Sequence, residues 1–169
     1  MQTNPHSTEI DVDHPADSPA LPRLAQDKNL NASLAVFGRI LMASVFLPAG
    51  LGKVTAATAT ASYLVAGGLP NSPALAMAVG AFEVVAGVML VVGFKVRWAA
   101  WALAIFTVIA SVLYHHFWSA PLDQQLTQQL LFTKNIGLVG GLLFVAALGA
   151  GPWAVDNARA RHAGVTASP

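Results

Sequence analysis

Four long apolar segments limit the folds that are open to this chain. They cover residues 33–52, 74–94, 98–118 and 130–149. Each is close to the length of about 20 residues that an α-helix needs to cross the hydrocarbon core of a bilayer. A soluble helical bundle needs a polar outer face on every helix, and these segments have none. The sequence therefore predicts an all-α, integral membrane four-helix bundle.

The composition supports this interpretation and excludes several chemistries. Charged residues make up 10% of the chain, against about 25% in soluble domains. The chain contains no Cys, which excludes disulfides, thiolate metal ligands and a cysteine nucleophile. A net charge of +1 gives no reason to expect a nucleic-acid partner. The partner that the composition does indicate is the lipid bilayer.

The two ends of the chain differ from its apolar middle. Residues 1–32 are rich in proline and acidic side chains and lack an apolar run, so we expect a disordered amino-terminal tail. They also lack the basic start and apolar segment of a secretory signal. Residues 33–151 are the predicted transmembrane domain, and residues 152–169 are expected to form a flexible carboxyl-terminal tail.

The distribution of Lys and Arg predicts how the bundle is oriented. Lys95 and Arg97 lie between the second and third spans, and both tails also contain basic residues. Short cytoplasmic loops are enriched in Lys and Arg. We therefore expect a multi-pass membrane protein with both termini in the cytoplasm.

Two connections are predicted to form short helical pieces on the outer side of the membrane. In residues 54–68 hydroxyl and apolar side chains fall on opposite helical faces, and a Gly-Gly-Leu-Pro sequence ends the pattern. After Pro121, leucines recur every four residues up to Leu130. This second helix is expected to continue without a break into the fourth span.

Polar residues within the spans share a helical face with small residues. Glu83 lies in register with Gly80 on the second span. Lys134 shares a face with Gly137 and Gly141 on the fourth span. Because small residues mark helix–helix contacts in membranes, we expect both charges to point into the bundle.

Glu83 needs either a partner or a proton, because an unpaired charge near the middle of a membrane costs at least about 2.5–3.5 kcal/mol. Depths taken at about 1.5 Å per residue put Arg39 and Lys134 within reach of it. Arg39 is the favoured partner, since a guanidinium matches the geometry of a carboxylate. Such a pair would hold the bundle in register.

A second interpretation is a polar pocket in the outer leaflet. Its predicted lining is Lys53, Glu83, His115, Lys134 and Asn135. His115 suits two roles, a packing hydrogen bond or a proton carrier. Outside the adjacent pair of His115 and His116 the spans hold no histidine for haem, and His115 with Glu83 is too small a ligand set for a metal. We therefore expect no metal site and no intrinsic cofactor.

Short motifs follow one another on the four spans. They are Gly50-Leu51-Gly52-Lys53, Glu83 before Gly87, Tyr114-His115-His116-Phe117-Trp118, and Lys134-Asn135 before Gly140-Gly141. Together they resemble the DoxX family of small four-helix bacterial membrane proteins, over residues 33–151. The resemblance implies a protein of the bacterial inner membrane and a membrane subunit of a quinone-linked oxidoreductase system.

This resemblance assigns roles to the polar residues. The expected catalytic residues are His115 and Glu83, and the expected quinone pocket is lined by Lys53, Lys134, Asn135, Arg39 and Trp118. His115 would donate a proton, and a lysine would stabilise negative charge on the quinone oxygen. Electrons would come from a redox partner subunit or directly from a substrate. The alternative is a non-catalytic scaffold or anchor whose charges serve folding. The residues leave both classes open, and a homo-oligomer as well.

Overall fold

The computed structural model describes residues 28–158, which form helices joined by short turns and contain no strand. The α-helices are α1 (Lys28–Thr55), α2 (Ala57–Leu64), α3 (Pro73–Val92), α4 (Val96–Tyr114) and α5 (Leu122–Leu148). Single 3₁₀ turns follow α2 at Val65–Gly67 and α4 at Phe117–Ser119. In this part of the chain four helices, α1, α3, α4 and α5, are long and apolar enough to cross a membrane. The predicted all-α membrane bundle is confirmed.

Local signals in the sequence set the ends of α3. The Ser72 hydroxyl accepts a hydrogen bond of 3.2 Å from the backbone N–H of Leu75, and Pro73 occupies the first turn. Both features are typical of a helix start. The helix ends at Gly93, whose φ of 77° is left-handed. The chain then enters α4 almost at once, so α3 and α4 are adjacent and antiparallel.

The predicted short helical pieces are also present. α2 and the turn Val65–Gly67 occupy the segment predicted at residues 54–68. α5 runs unbroken from Leu122 to Leu148, as expected from its leucine spacing. α1 continues through Pro48 to Thr55.

Both predicted tails include residues that the structure places in the folded part of the chain. α1 begins at Lys28 rather than at Ser33, and Ala32 in its first turns is buried. At the other end Ala154 is buried, and the Asp156 carboxylate accepts hydrogen bonds from the first turn of α4. Residues 28–32 and 152–158 therefore pack with the bundle. Residues 1–27 and 159–169, the rest of both predicted tails, lie outside the described residues.

The four long helices pack as two antiparallel pairs. α1 packs on α3 and α4 packs on α5, while α3 and α4 join the two pairs and α1 barely touches α5. Large side chains that are fully buried at the shared centre are Leu90, Val96, Leu103 and Leu142. The outward surfaces of all four helices carry exposed apolar side chains, as expected of helices that face lipid.

Two glycines bring the backbones of α1 and α3 together. A Cβ added to Gly80 would lie 2.7 Å from the Gly50 carbonyl oxygen, and one added to Gly50 would lie 2.6 Å from the Gly80 carbonyl oxygen. Further along the same contact, Leu47 covers Gly87. The predicted packing face of the second span, with Gly80 and Glu83 on it, is buried in the structure.

The predicted packing face of the fourth span is wrong. Lys134 and Gly137 are exposed, and nothing lies within 4 Å of the place where a Cβ on Gly137 would sit. The buried residues of α5 are Leu142 and Ala146, near its carboxyl end. The reason is that α5 packs mainly on α4 and contacts α1 where Met42 lies against Gly141, so Lys134 and Gly137 stay outside the contact.

The glycine contact predicts opposite effects for two similar substitutions. Gly80→Ala forces α1 and α3 apart and is expected to lower the free energy of unfolding by about 1–3 kcal/mol. Gly52→Ala, on α1 but in open space, is expected to be neutral or to stabilise by up to about 1 kcal/mol. Denaturant titration in mixed micelles measures both, and equal stabilities would contradict the close approach.

Candidate functional site

One ion pair crosses the interface between α1 and α3. The Nζ atom of Lys53 lies 2.7 Å from Oε2 of Glu83. The Glu83 side chain is 5% exposed and that of Lys53 is 28% exposed. Lys53 also donates to the Ala49 carbonyl oxygen at 3.4 Å. A nearly buried carboxylate thus has its counter-ion on the neighbouring helix, and the ammonium keeps one side open.

The predicted pairing of Glu83 with Arg39 is wrong, and Lys134 is not its partner either. Arg39 lies about 21 Å from Lys53 along α1, where its Nη1 atom lies beside Gly93 at the opposite end of α3. Lys134 is exposed on α5. Depth along the membrane normal was the basis of the prediction. It missed that α5 is not packed on α3 and that the register of α1 against α3 puts Lys53, not Arg39, at the level of Glu83.

The glycine contact explains why Lys53 is the partner. A Cβ on Gly80 would lie 2.9 Å from the Lys53 Cβ, and one on Gly50 would lie 2.9 Å from the Glu83 Cβ. The two side chains therefore start from backbones that are already in contact. The Lys53 side chain has only a short distance to span, and its ammonium lies within hydrogen-bond distance of the carboxylate.

An apolar cavity of about 380 Å³ lies beside this ion pair. Lys53 and Glu83 form part of its wall. The other polar residues of the wall are Thr60, His115 and two tyrosines. The remaining lining comes from α2, α3, α4 and the segment after α2: Tyr63, Leu64, Leu69, Val79, Phe106, Ile109, Ala110, Leu113 and Tyr114. We call it the apolar cavity, and the end of the bundle where it lies the α2 end.

A second, polar cavity of about 280 Å³ adjoins it. It is lined by Tyr63, Ala66, Tyr114, His116, Ser119, Ala120, Pro121, Gln124 and Gln128. Tyr63 and Tyr114 line both cavities and stack on each other, with ring centroids 5.0 Å apart and planes inclined by 12°. The stacked tyrosines therefore form the partition between the two cavities.

His115 connects the two cavities chemically. It lines the apolar cavity, and its Nδ1 atom lies 2.9 Å from Oε1 of Gln128, which lines the polar cavity. The amide oxygen can only accept, so Nδ1 carries the hydrogen in this contact. The Nε2 atom of a neutral ring then has a free lone pair.

The structure brings together three of the predicted site residues and separates the others. Lys53, Glu83 and His115 line the apolar cavity. Its lining does not include Arg39, Lys134, Asn135 or Trp118. Trp118 instead belongs to an aromatic cluster, in which its ring centroid lies within 6.3 Å of those of His116, Phe117 and Phe132.

Three residues of the site escaped the sequence analysis. Tyr63, Tyr114 and Gln128 matter because they form the partition and hold His115. Tyr114 stands in the motif that ends the third span, so its position was visible although its role was not. Gln128 stands in a glutamine-rich stretch whose exposed and inward members look alike in sequence.

Comparison with known proteins identifies the family. The DoxX family model matches residues 34–116, a range that includes Lys53, Glu83 and His115. The inner membrane protein YqjF of Escherichia coli is 31% identical over 130 residues, which cover 77% of this chain and 95% of that protein. The chain belongs to the DoxX family.

Other matches extend this comparison. The inner membrane protein YphA of Escherichia coli is 28% identical over 124 residues, covering 73% of this chain and 89% of that protein. A Surfeit locus protein 4 homolog of Schizosaccharomyces pombe is 31% identical over 77 residues, or 26% of its length. No solved structure matches the chain. The chain is thus a multi-pass inner membrane protein of the DoxX family.

The ion pair gives a prediction for stability. Lys53→Met leaves Glu83 without its counter-ion and is expected to lower the free energy of unfolding by about 2–3 kcal/mol, because the lysine is partly exposed and the acid can take up a proton. Adding Glu83→Leu should recover at least half of this loss. The measurement is denaturant titration in mixed micelles.

The matched control is Lys134→Met, which removes an exposed lysine from α5. It is expected to change stability by no more than about 0.5 kcal/mol. A loss for Lys134→Met as large as that for Lys53→Met would show that removal of any lysine has this effect.

Proposed function

We propose that the apolar cavity binds the ring of a membrane quinone and that the chain acts as the membrane subunit of a quinone-linked oxidoreductase. The observation that carries this proposal is the cavity itself, with apolar walls, one ion pair and one histidine. Sites for small organic molecules are mostly apolar with a few convergent polar groups, and measure about 300–1,000 Å³. A volume of about 380 Å³ fits a single ring with its substituents.

The cavity offers a route for a ligand that is dissolved in lipid. Tyr63 and Ile109, which line it, are exposed on the outer surface of the bundle. Ile109 lies on α4, in a span that faces lipid. A hydrophobic ligand can therefore enter sideways from the bilayer without crossing water.

Lys53 and His115 have the right chemistry for a quinone carbonyl. The ammonium of Lys53 is partly exposed and can donate a charge-assisted hydrogen bond to a carbonyl oxygen while Glu83 holds it in place. As negative charge develops on that oxygen, a fixed cation stabilises it. His115 can deliver a proton once its Nε2 atom has taken one up, while the hydrogen bond from Nδ1 to Gln128 holds the ring beside the polar cavity.

Full reduction of a quinone to a quinol takes two electrons and two protons. Both protons are assigned to His115, which takes each one up from solvent at the α2 end before it passes it to the quinone. The chain contains no Cys to hold an iron–sulfur cluster, so the electrons are assigned to a reduced partner subunit. The α2 end, with both cavities, is assigned to the outer side and both termini to the cytoplasm, in line with the basic residues at the opposite end.

A specific observation also favours the scaffold function. The ion pair joins α1 to α3, the most closely packed helices in the described chain. A structural role alone would require the pair and would not require the apolar cavity. The two functions can therefore be separated by changing the cavity without changing the pair.

Binding of a short-chain quinone tests the proposal. The protein in lipid nanodiscs is expected to bind decylubiquinone saturably, as measured by equilibrium dialysis. Lys53→Met should weaken binding by about tenfold or more, since a hydrogen bond from a charged donor is lost. Ala110→Phe, which fills the cavity and leaves the ion pair intact, should reduce binding at least as much.

Each variant has a control on α5, where the side chains are exposed. Lys134→Met and Ala147→Phe make the same chemical changes away from the cavity and should bind like the unaltered protein. If the folded, unaltered protein binds no quinone, or if Ala147→Phe weakens binding as much as Ala110→Phe does, the scaffold function takes the place of the quinone site.

A further inference from the structure

A third cavity, of about 240 Å³, lies at the end of the bundle opposite the apolar cavity. It is formed where α4 begins and where the chain leaves α5. Its lining includes Lys95, Arg97, Trp98, Gly149, Gly151 and Asp156. We call it the basic cavity, and neither the family assignment nor the proposed quinone site uses it.

The carboxylate in the basic cavity is already engaged. The Oδ1 atom of Asp156 accepts a hydrogen bond of 2.8 Å from the backbone N–H of Lys95, and its Oδ2 atom accepts one of 3.1 Å from that of Val96. Asp156 therefore caps the amino-terminal turn of α4, where a negative charge is favourable. Its negative charge therefore stabilises the amino-terminal end of α4 and forms no ion pair with the cationic side chains of the cavity.

The cations of the basic cavity have no acidic partner in residues 28–158. The salt bridge found there joins Lys53 to Glu83 and involves neither Lys95 nor Arg97. The Lys95 ammonium lies 5.7 Å from the centre of the Phe94 ring. The Arg97 guanidinium lies across Gly149, with Nε 3.2 Å from where a Cβ there would sit. Two cationic side chains without an acidic partner in the described residues thus border one cavity.

A third cation adds to this charge from inside the bundle. Arg39 is 2% exposed, and its Nη1 atom has no hydrogen-bond partner among the described residues. Its Nη1 atom lies beside Gly93, which is two residues before Lys95 of the basic cavity. Asp156 attracts Arg39 but forms no ion pair with it within 4 Å in the described chain. Three cations therefore face one carboxylate that already caps a helix.

The surroundings of the basic cavity are those of a membrane interface. Trp98 is 76% exposed and Leu148 is 78% exposed, and both line the cavity. Tryptophan favours the level of lipid head groups. Below them, α4 and α5 expose apolar side chains such as Trp101 and Phe144. A ligand seated here can place a charged group among the cations and an apolar chain along the helices.

We propose that the basic cavity binds the phosphate group of an anionic phospholipid. Arg97 and Lys95 contact the phosphate oxygens, Arg39 adds positive potential, and the acyl chains lie against Trp98 and Leu148. Basic pockets between transmembrane helices are suited to anionic head groups. A soluble phosphate compound shares the head-group chemistry but has no use for the apolar rim.

The test measures stabilisation of the full-length protein in detergent micelles. Added phosphatidylglycerol should raise the melting temperature saturably, whereas phosphatidylcholine should not. Arg97→Gln should weaken the apparent affinity for phosphatidylglycerol about fivefold, because each cation contributes about 1 kcal/mol to the binding of an anionic lipid. The double variant with Lys95→Gln loses two cations and should weaken the affinity about 25-fold. Arg97→Lys should keep most of the affinity. Native mass spectrometry counts the lipids that stay bound.

Lys134→Gln is the control, because Lys134 is an exposed lysine about 22 Å from Gly149 along α5. An equal weakening by Lys134→Gln, or equal shifts with both lipids, overturns the proposal. Saturation by inorganic phosphate at the same affinity as the lipid also overturns it and assigns the cavity to a soluble phosphate compound. Quinone binding should be unchanged in Arg97→Gln, so this site and the quinone site can fail independently.

Discussion

Where Gly50 faces Gly80, the backbones of α1 and α3 approach more closely than any side chain would allow. This contact decides what happens one turn further along, because it puts Lys53 opposite Glu83. A carboxylate that is 5% exposed in a lipid-facing bundle needs a counter-ion on an adjacent helix at its own level. Two residues without side chains thus make it possible to bury a charge.

The spans could be predicted because hydropathy and helix length are local properties of the sequence. The continuity of α5 and the helical piece after α1 followed from the same kind of local pattern. The partner of Glu83 could not be predicted in this way. Arg39 and Lys134 were both at plausible depths, but Lys53 is the cation that the register of α1 against α3 places beside Glu83. Helix pairing and register are properties of the whole bundle.

The site was predicted in part for the same reason. Lys53, Glu83 and His115 are polar residues in apolar spans, which marks them in any sequence. Tyr63 lies on a short helix that packs on α3, and its stacking on Tyr114 depends on that packing. The glycine face of α5 has the spacing of a helix contact, yet Gly137 lies in open space and Gly141 meets only the Met42 side chain of α1 among the described residues. Spacing predicts a face, and only packing decides whether the face is used.

The ion pair itself gives weak support to a purely structural role. A buried ion pair contributes little more to stability than well-packed apolar side chains of similar volume. The bundle has such packing elsewhere, where Leu47 covers Gly87 on the same two helices. The pair instead borders an apolar cavity, with its ammonium partly open and His115 in the same wall. Burial of charge at that place favours a ligand that needs a cation and a proton donor within lipid.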